Sequence, residues 1–154
     1  MDRRTAKEFL HIRDWLDRAA RIVDGGLEAY QLDPLLREAG DSLLMKIGEA
    51  ATRLGRTGVE PPGAVRWSDA IGNRNWLIHQ YDLIDRDITW STLCHDLPSW
   101  RAALAEVFTQ AERIVSSSPE ETAEPPSEHK EEASDRRVWR TVSPVRGRWE
   151  PSLR

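Results

Sequence analysis

Asp33-Pro-Leu-Leu-Arg-Glu-Ala-Gly-Asp-Ser-Leu-Leu-Met-Lys-Ile-Gly-Glu-Ala-Ala-Thr-Arg-Leu54-Gly55 is the stretch that decides the fold. Asp33 followed by Pro34 reads as an N-cap and a first-turn proline, so a helix should start there. Leu36, Ala39, Leu43, Ile47, Ala50 and Leu54 then recur at spacings of three and four, which is one apolar stripe on a 3.6-residue repeat. Gly55 closes it.

The same pattern extends outward from this segment. On the N-terminal side, Phe9, Ile12, Leu16, Ala19 and Val23 predict an amphipathic helix over 3–24, its stripe widened by Trp15 and Ile22. Gly25 and Gly26 should end it, leaving Leu27–Leu32 as a short connection. On the C-terminal side, the prolines and glycines of Gly58–Gly63 read as a loop. A third helix is expected over about 68–80, opened by Trp67 or Ser68, with Ile71, Leu77 and Ile78 as core contacts. Gly72 inside it lowers helix propensity but would allow a close helix–helix approach. Asp85 or Asp87 can cap a fourth helix containing Ile88, Trp90 and Leu93. Asp96, ahead of Leu97-Pro98, should cap a fifth over about 98–116. No segment alternates as a half-buried strand does. The expected fold is all-α, an antiparallel bundle of about five helices over 1–116.

Composition narrows the class. Of 154 residues, 39% are hydrophobic and 31% charged, enough for one core but not for a core along the whole chain. No apolar run is long enough for a membrane span, and the N-terminus reads straight into charged residues, so no membrane and a cytoplasmic location are expected. The single Cys94 cannot close an internal disulfide, and with scattered histidines it gives no zinc spacing, so no metal and no cofactor are expected. Cys94 reads as a half-buried helix residue. The formal net charge is −4. Residues 117–135 hold seven acids and one lysine; residues 136–154 hold six arginines and one glutamate, with Trp139 and Trp149 among them. Residues 117–154 therefore read as a disordered tail, acidic then basic. Its Arg/Trp end could stack on bases or dock on a partner, or have no fixed target.

Arg74-Asn-Trp-Leu-Ile-His79-Gln-Tyr81 gathers a permanent cation, an acid/base group and a phenol within eight residues. RNA can be cut without a metal if a base takes the 2′-hydroxyl proton, an acid protonates the leaving oxygen and a cation balances charge on the phosphate. Histidine suits the proton steps because it titrates near neutrality. Arginine suits the phosphate because its planar fork stays charged. On a helix Arg74 and His79 lie about 140° apart, so they converge only if the helix ends near His79 or the site lies in a groove. One segment offers one good proton-transfer group where the reaction wants two, and two segments facing each other across a homodimer would supply both. By residue type alone, ribonuclease is one option among several.

Arg74-x4-His79-x-Tyr81 matches the R-x4-H-x-Y signature of HepT-like proteins in the HEPN superfamily. Ile47-Gly48-Glu49-Ala50-Ala51 resembles a stretch on that family's second helix. Trp67 through Asn75 resembles its lead-in to the arginine, and Asp85–Trp90 and Asp96-Leu97-Pro98 resemble its following helix starts. The likeness covers roughly 5–112. It implies a HEPN-like bundle, a homodimer with a composite site, and ribonuclease activity. It also implies an antitoxin of the minimal nucleotidyltransferase (MNT) type in a type VII-like toxin–antitoxin pair, which neutralises the toxin by binding, by AMPylation of Tyr81, or by both.

By position in the motif, Arg74 is the phosphate-binding group, His79 the general acid or base, and Tyr81 an orienting group and the modification site. Asn75 could hold the histidine or a phosphate oxygen. Glu49 reads best as a helix-face acid pairing near Arg74. Asp82 could tune His79 or simply be exposed, and Trp76 and Trp90 read as packing. Asn73 departs from the family's more usual apolar or Met residue. The competing reading is a non-catalytic HEPN module that binds a nucleotide or RNA or acts as a scaffold for its nucleotidyltransferase partner.

Overall fold

Seven α-helices and one π turn hold most of the residues that the computed structural model describes, namely 1–63, 65–79 and 84–117. No strand occurs among them, and the chain is the all-helical bundle expected. The described residues all fall in one unit, 1–120. The expected tail lies outside them, apart from Ser117.

α1 (Arg3–Asp24) begins where the Asp2 carboxylate accepts the Thr5 backbone N–H at 2.7 Å, and it stops at Gly25. Its buried stripe is Phe9, Ile12, Leu16, Ala19 and Ile22. Residues 27–32 are not the expected connection. Gly26 takes φ +84°, a conformation that costs glycine little, and the chain restarts at once as α2 (Gly26–Leu32). Tyr30, fully buried with its ring 5.0 Å from that of Trp90, anchors this short helix.

α3 (Pro34–Arg56) starts as expected, with Asp33 accepting the Leu35 N–H at 2.8 Å. Leu43, Ile47, Ala50 and Leu54 are buried, Leu36 is half-buried and Ala39 is exposed. α4 (Trp67–His79) lies along α3. Of its expected core contacts Leu77 is buried, whereas Ile78 is 43% exposed. α5 (Arg86–Ser91) is capped by Asp85, which accepts from the Asp87 and Ile88 N–H groups at 2.9 and 3.2 Å.

Asp96 does not cap a fifth helix. Its backbone is already helical, at φ −73° and ψ −48°, and its side chain accepts no backbone N–H. α5 instead runs through a π turn (Thr92–Asp96), with the Leu97 N–H bonded to the Thr92 carbonyl, into α6 (Leu97–Ala103). Pro98 has no N–H and its ring crowds the preceding turn, and the widened turn before it accommodates both. The helix breaks again at Leu104 and continues as α7 (Ala105–Ser117), packed on α1.

The core joins α1, α3, α6 and α7 through Phe9, Ile12, Leu16, Ile47, Leu97, Trp100 and Phe108. Each such side chain contributes about 1.5–3 kcal/mol by leaving water. Trp67, at the start of α4, sits between Phe9 and Trp100, with ring centroids 6.2 and 6.0 Å away, and its Nε1–H donates to the Val59 carbonyl at 3.0 Å. That pins the N-terminal end of α4 to the core. α5 is pinned differently: Asp41 of α3, 8% exposed, accepts from Arg86 Nη1 at 2.7 Å. Burial beside this pair raises the Tyr30 phenol pKa above its ordinary value.

Candidate functional site

The site grows from a glycine. Gly48 faces the middle of α4, and a Cβ there would land on Arg74 Cβ, 2.7 Å from the Ala70 carbonyl oxygen and 3.1 Å from Arg74 Cγ. Only hydrogen fits, so the two helices close to near backbone contact and the stem of Arg74 is pressed against α3. Gly72, expected to be the residue of close approach, has nothing within 4 Å of a would-be Cβ.

From that stem the guanidinium reaches two acceptors. Nη2 pairs with the Glu49 carboxylate, the next residue along α3, and Nη1 donates to Asn75 Oδ1 at 2.8 Å. Nε is buried with no acceptor among the described residues. The side chains of Arg74 and Glu49 are 31% and 42% exposed, so water screens the pair and its contribution to stability is about 0–1 kcal/mol. Its consequence is orientation: a long side chain with many rotamers is held in one, by its packed stem and by two acceptors.

His79 is the last described residue of α4 and is exposed. It stands five positions after Arg74, about 140° further around the axis, and no hydrogen bond or ion pair among the described residues joins the two. Within one chain, then, the cation and the imidazole share a helix but not a stripe. Tyr81 and Asp82 lie outside the described residues. Trp76 is half-buried against the core and Trp90 rests on Tyr30, as the packing reading has it. Cys94 is half-buried in the π turn, and burial raises its thiol pKa, which disfavours the reactive thiolate.

The residue that sequence reasoning passed over is Gly48. Its signal was available: a glycine inside a long helix is unfavourable by about 0.5–1 kcal/mol relative to alanine, and next to Ile47 on the apolar side it implies a close neighbour. Among the described residues no group of three or more His, Cys, Asp or Glu side chains is arranged to hold a metal ion, and no helix is long and apolar enough to cross a membrane.

An all-helical bundle with an anchored arginine and an exposed histidine on the same helix defines the class, and comparison with known proteins gives the family. The family model for "Ribonuclease HepT-like" matches residues 12–107. The chain belongs to the HepT-like ribonuclease family. It is 30% identical over 88 residues to the protein named "Putative RNase TTE0752" of Caldanaerobacter subterraneus subsp. tengcongensis, covering 57% of this chain and 79% of that one. It is likewise 30% identical over 102 residues to "Putative RNase MJ1380" of Methanocaldococcus jannaschii, covering 64% and 92%. No solved structure matches the chain.

Proposed function

We propose that this chain is a HEPN-type endoribonuclease that cuts RNA without a metal ion and acts as the toxin of a type VII-like pair. The observation that carries the reading is the Arg74 guanidinium, held by Glu49 and Asn75 over a stem locked at Gly48, on the helix that also carries the exposed His79. A fixed cation aimed at a phosphate needs no reorganisation when charge builds there, and this is what makes it effective in a transition state.

In the proposed reaction the 2′-hydroxyl proton passes to a neutral imidazole and the oxygen attacks phosphorus. The bond to the 5′-oxygen breaks, and that oxygen takes a proton from a protonated imidazole. The products are a 2′,3′-cyclic phosphate and a 5′-hydroxyl. The two histidines are His79 of each protomer in a homodimer, which fits the wide angle between Arg74 and His79 within one chain. Tyr81 orients the proton or the phosphate. An adenylate placed on it by an MNT-type antitoxin adds bulk and negative charge beside Arg74 and His79, and so occupies the phosphate site.

The decisive experiment incubates purified wild type, Arg74→Ala and His79→Ala with RNA in excess chelator. Wild type should leave cyclic phosphate ends, and His79→Ala should slow cleavage by roughly 100-fold or more. Equal RNA integrity with wild type and His79→Ala overturns the ribonuclease reading and leaves the non-catalytic binding module. Mixed dimers of wild type and His79→Ala keep only one of the two histidines and should cut more slowly than wild-type dimers. Intact mass after co-expression with the nucleotidyltransferase should rise by adenylate units and lose that rise in Tyr81→Phe; an unchanged mass leaves binding as the route of neutralisation.

A further inference from the structure

The side of the α3–α4 seam away from the Arg74 guanidinium holds a cavity of about 320 Å³. On α3, Glu49 follows Gly48 around the axis, whereas the cavity is lined by Leu44 and Ile47, which precede it. On α4 the guanidinium leans to Asn75, while Asp69 and Asn73 line the cavity. The volume is at the small end of the range for ligand sites, enough for one functional group on a short stem.

Its walls divide by chemistry. Trp100 and Leu97 of α6 make an apolar floor. The rim is Asp69 and Asn73, one turn apart on α4, facing Thr92 and Asp96, the first and last residues of the π turn. A π turn is uncommon and recurs at functional positions, because widening the helix re-aims the side chains on it. Asp69 already accepts from Arg66 at 2.9 Å, and the Thr92 hydroxyl donates to the Ile88 carbonyl at 3.1 Å, leaving its lone pairs free. Asp96 and Asn73 have no partner among the described residues. The rim is therefore rich in acceptors, carries a negative charge unpaired among the described residues and sits over an apolar floor that includes an indole.

We propose that this cavity binds a guanidinium group on an aliphatic stem. A guanidinium presents five N–H donors in one plane, which suits acceptors arranged around a rim. It is weakly hydrated and stacks on aromatic surfaces, which suits the floor, whereas an ammonium is compact and strongly hydrated. A phosphate or a carboxylate would meet Asp96 unpaired. The group can arrive free, as an arginine-derived amine, or as an arginine side chain of a bound protein. The proposal does not depend on the ribonuclease reading, since it concerns binding on the far side of the helix that carries Arg74.

The test is titration of the full chain with agmatine, as the free form, and with a blocked Ala-Arg-Ala peptide, as the side-chain form. Binding is followed by tryptophan fluorescence and by the melting temperature. Either probe should saturate, and the tighter of the two identifies the source. Asp96→Asn removes the charge from an exposed side chain that bonds to nothing among the described residues, so the fold is preserved, and it should weaken binding about tenfold, the loss of one charge-assisted hydrogen bond. Asn73→Ala should weaken it less, and n-butylamine should bind more weakly than agmatine to the wild type. No saturation with either guanidinium probe, or equal affinity in wild type and Asp96→Asn, overturns the proposal.

Discussion

α1 meets α3 and α7 through side chains as large as Phe9, Ile12 and Leu16, while α4 meets α3 across a glycine. The first seam is a layer of interdigitated hydrocarbon, whose strength is the area it removes from water and which tolerates change in proportion to the volume lost. The second brings helix axes together so closely that the stem of an arginine becomes part of the packing. The lesson is a division of labour. The α1 seams supply stability, and their charged pairs, Arg13 with Glu112 and Glu8 with Arg53, lie at the partly exposed edges. The α4 seam supplies less apolar burial, and its close approach sets the direction of a charged side chain.

That contrast can be broken by substitution. The largest effect on stability is expected at Ile12→Ala, fully buried in the α1 seam, which should cost about 2–5 kcal/mol in chemical denaturation. Its RNA cleavage per folded molecule should stay near that of wild type. Gly48→Ala comes next. Overpacking of about 1–3 kcal/mol outweighs the gain in helix propensity, and here cleavage per folded molecule should fall as well, because Arg74 must move. If Gly48→Ala melts with wild type and cuts as wild type does, the seam is not as tight as described. Asp85→Ala removes the α5 cap and should lower stability by about 1 kcal/mol. Smallest in stability is Glu49→Gln, under about 1 kcal/mol because the pair is half exposed. Its effect should appear instead in kcat, with KM little changed. An equal loss in both would make Glu49 a binding group and not an orienting one.

The same contrast explains what the sequence made legible. α1 could be read to its ends, because a helix buried along one side must repeat its apolar residues. The starts of α3 and α5 could be read from Asp33-Pro34 and Asp85, because caps are local chemistry. α4 could be placed but not oriented: its contact face contains Ala70 and Arg74, so apolar periodicity misplaces Ile78 and overlooks Gly48. α2 was missed because two glycines signal a stop, and nothing local says that the second restarts a helix. The Asp96 cap failed for a non-local reason, since a carboxylate before Leu-Pro looks the same whether the preceding residues end a helix or widen one. Arg74, Glu49 and Asn75 do come together, and Glu49 plays the pairing role read for it. Tyr81 and Asp82 rest on the motif.

α3 carries both acids that hold arginines from the rest of the site region: Asp41 takes Arg86, and Glu49 takes Arg74. They stand eight positions apart, about 12 Å of helix rise. α3 is thus a ruler with two fixed marks, and an error in its length is worse than an error in its composition. One residue inserted between Asp41 and Glu49 would rotate one mark by about 100° against the other. Both arginines could not then be held at once. Substitutions can accumulate at the exposed positions of this interval, away from Gly48 and the buried Leu43, Leu44 and Ile47, but its length is fixed.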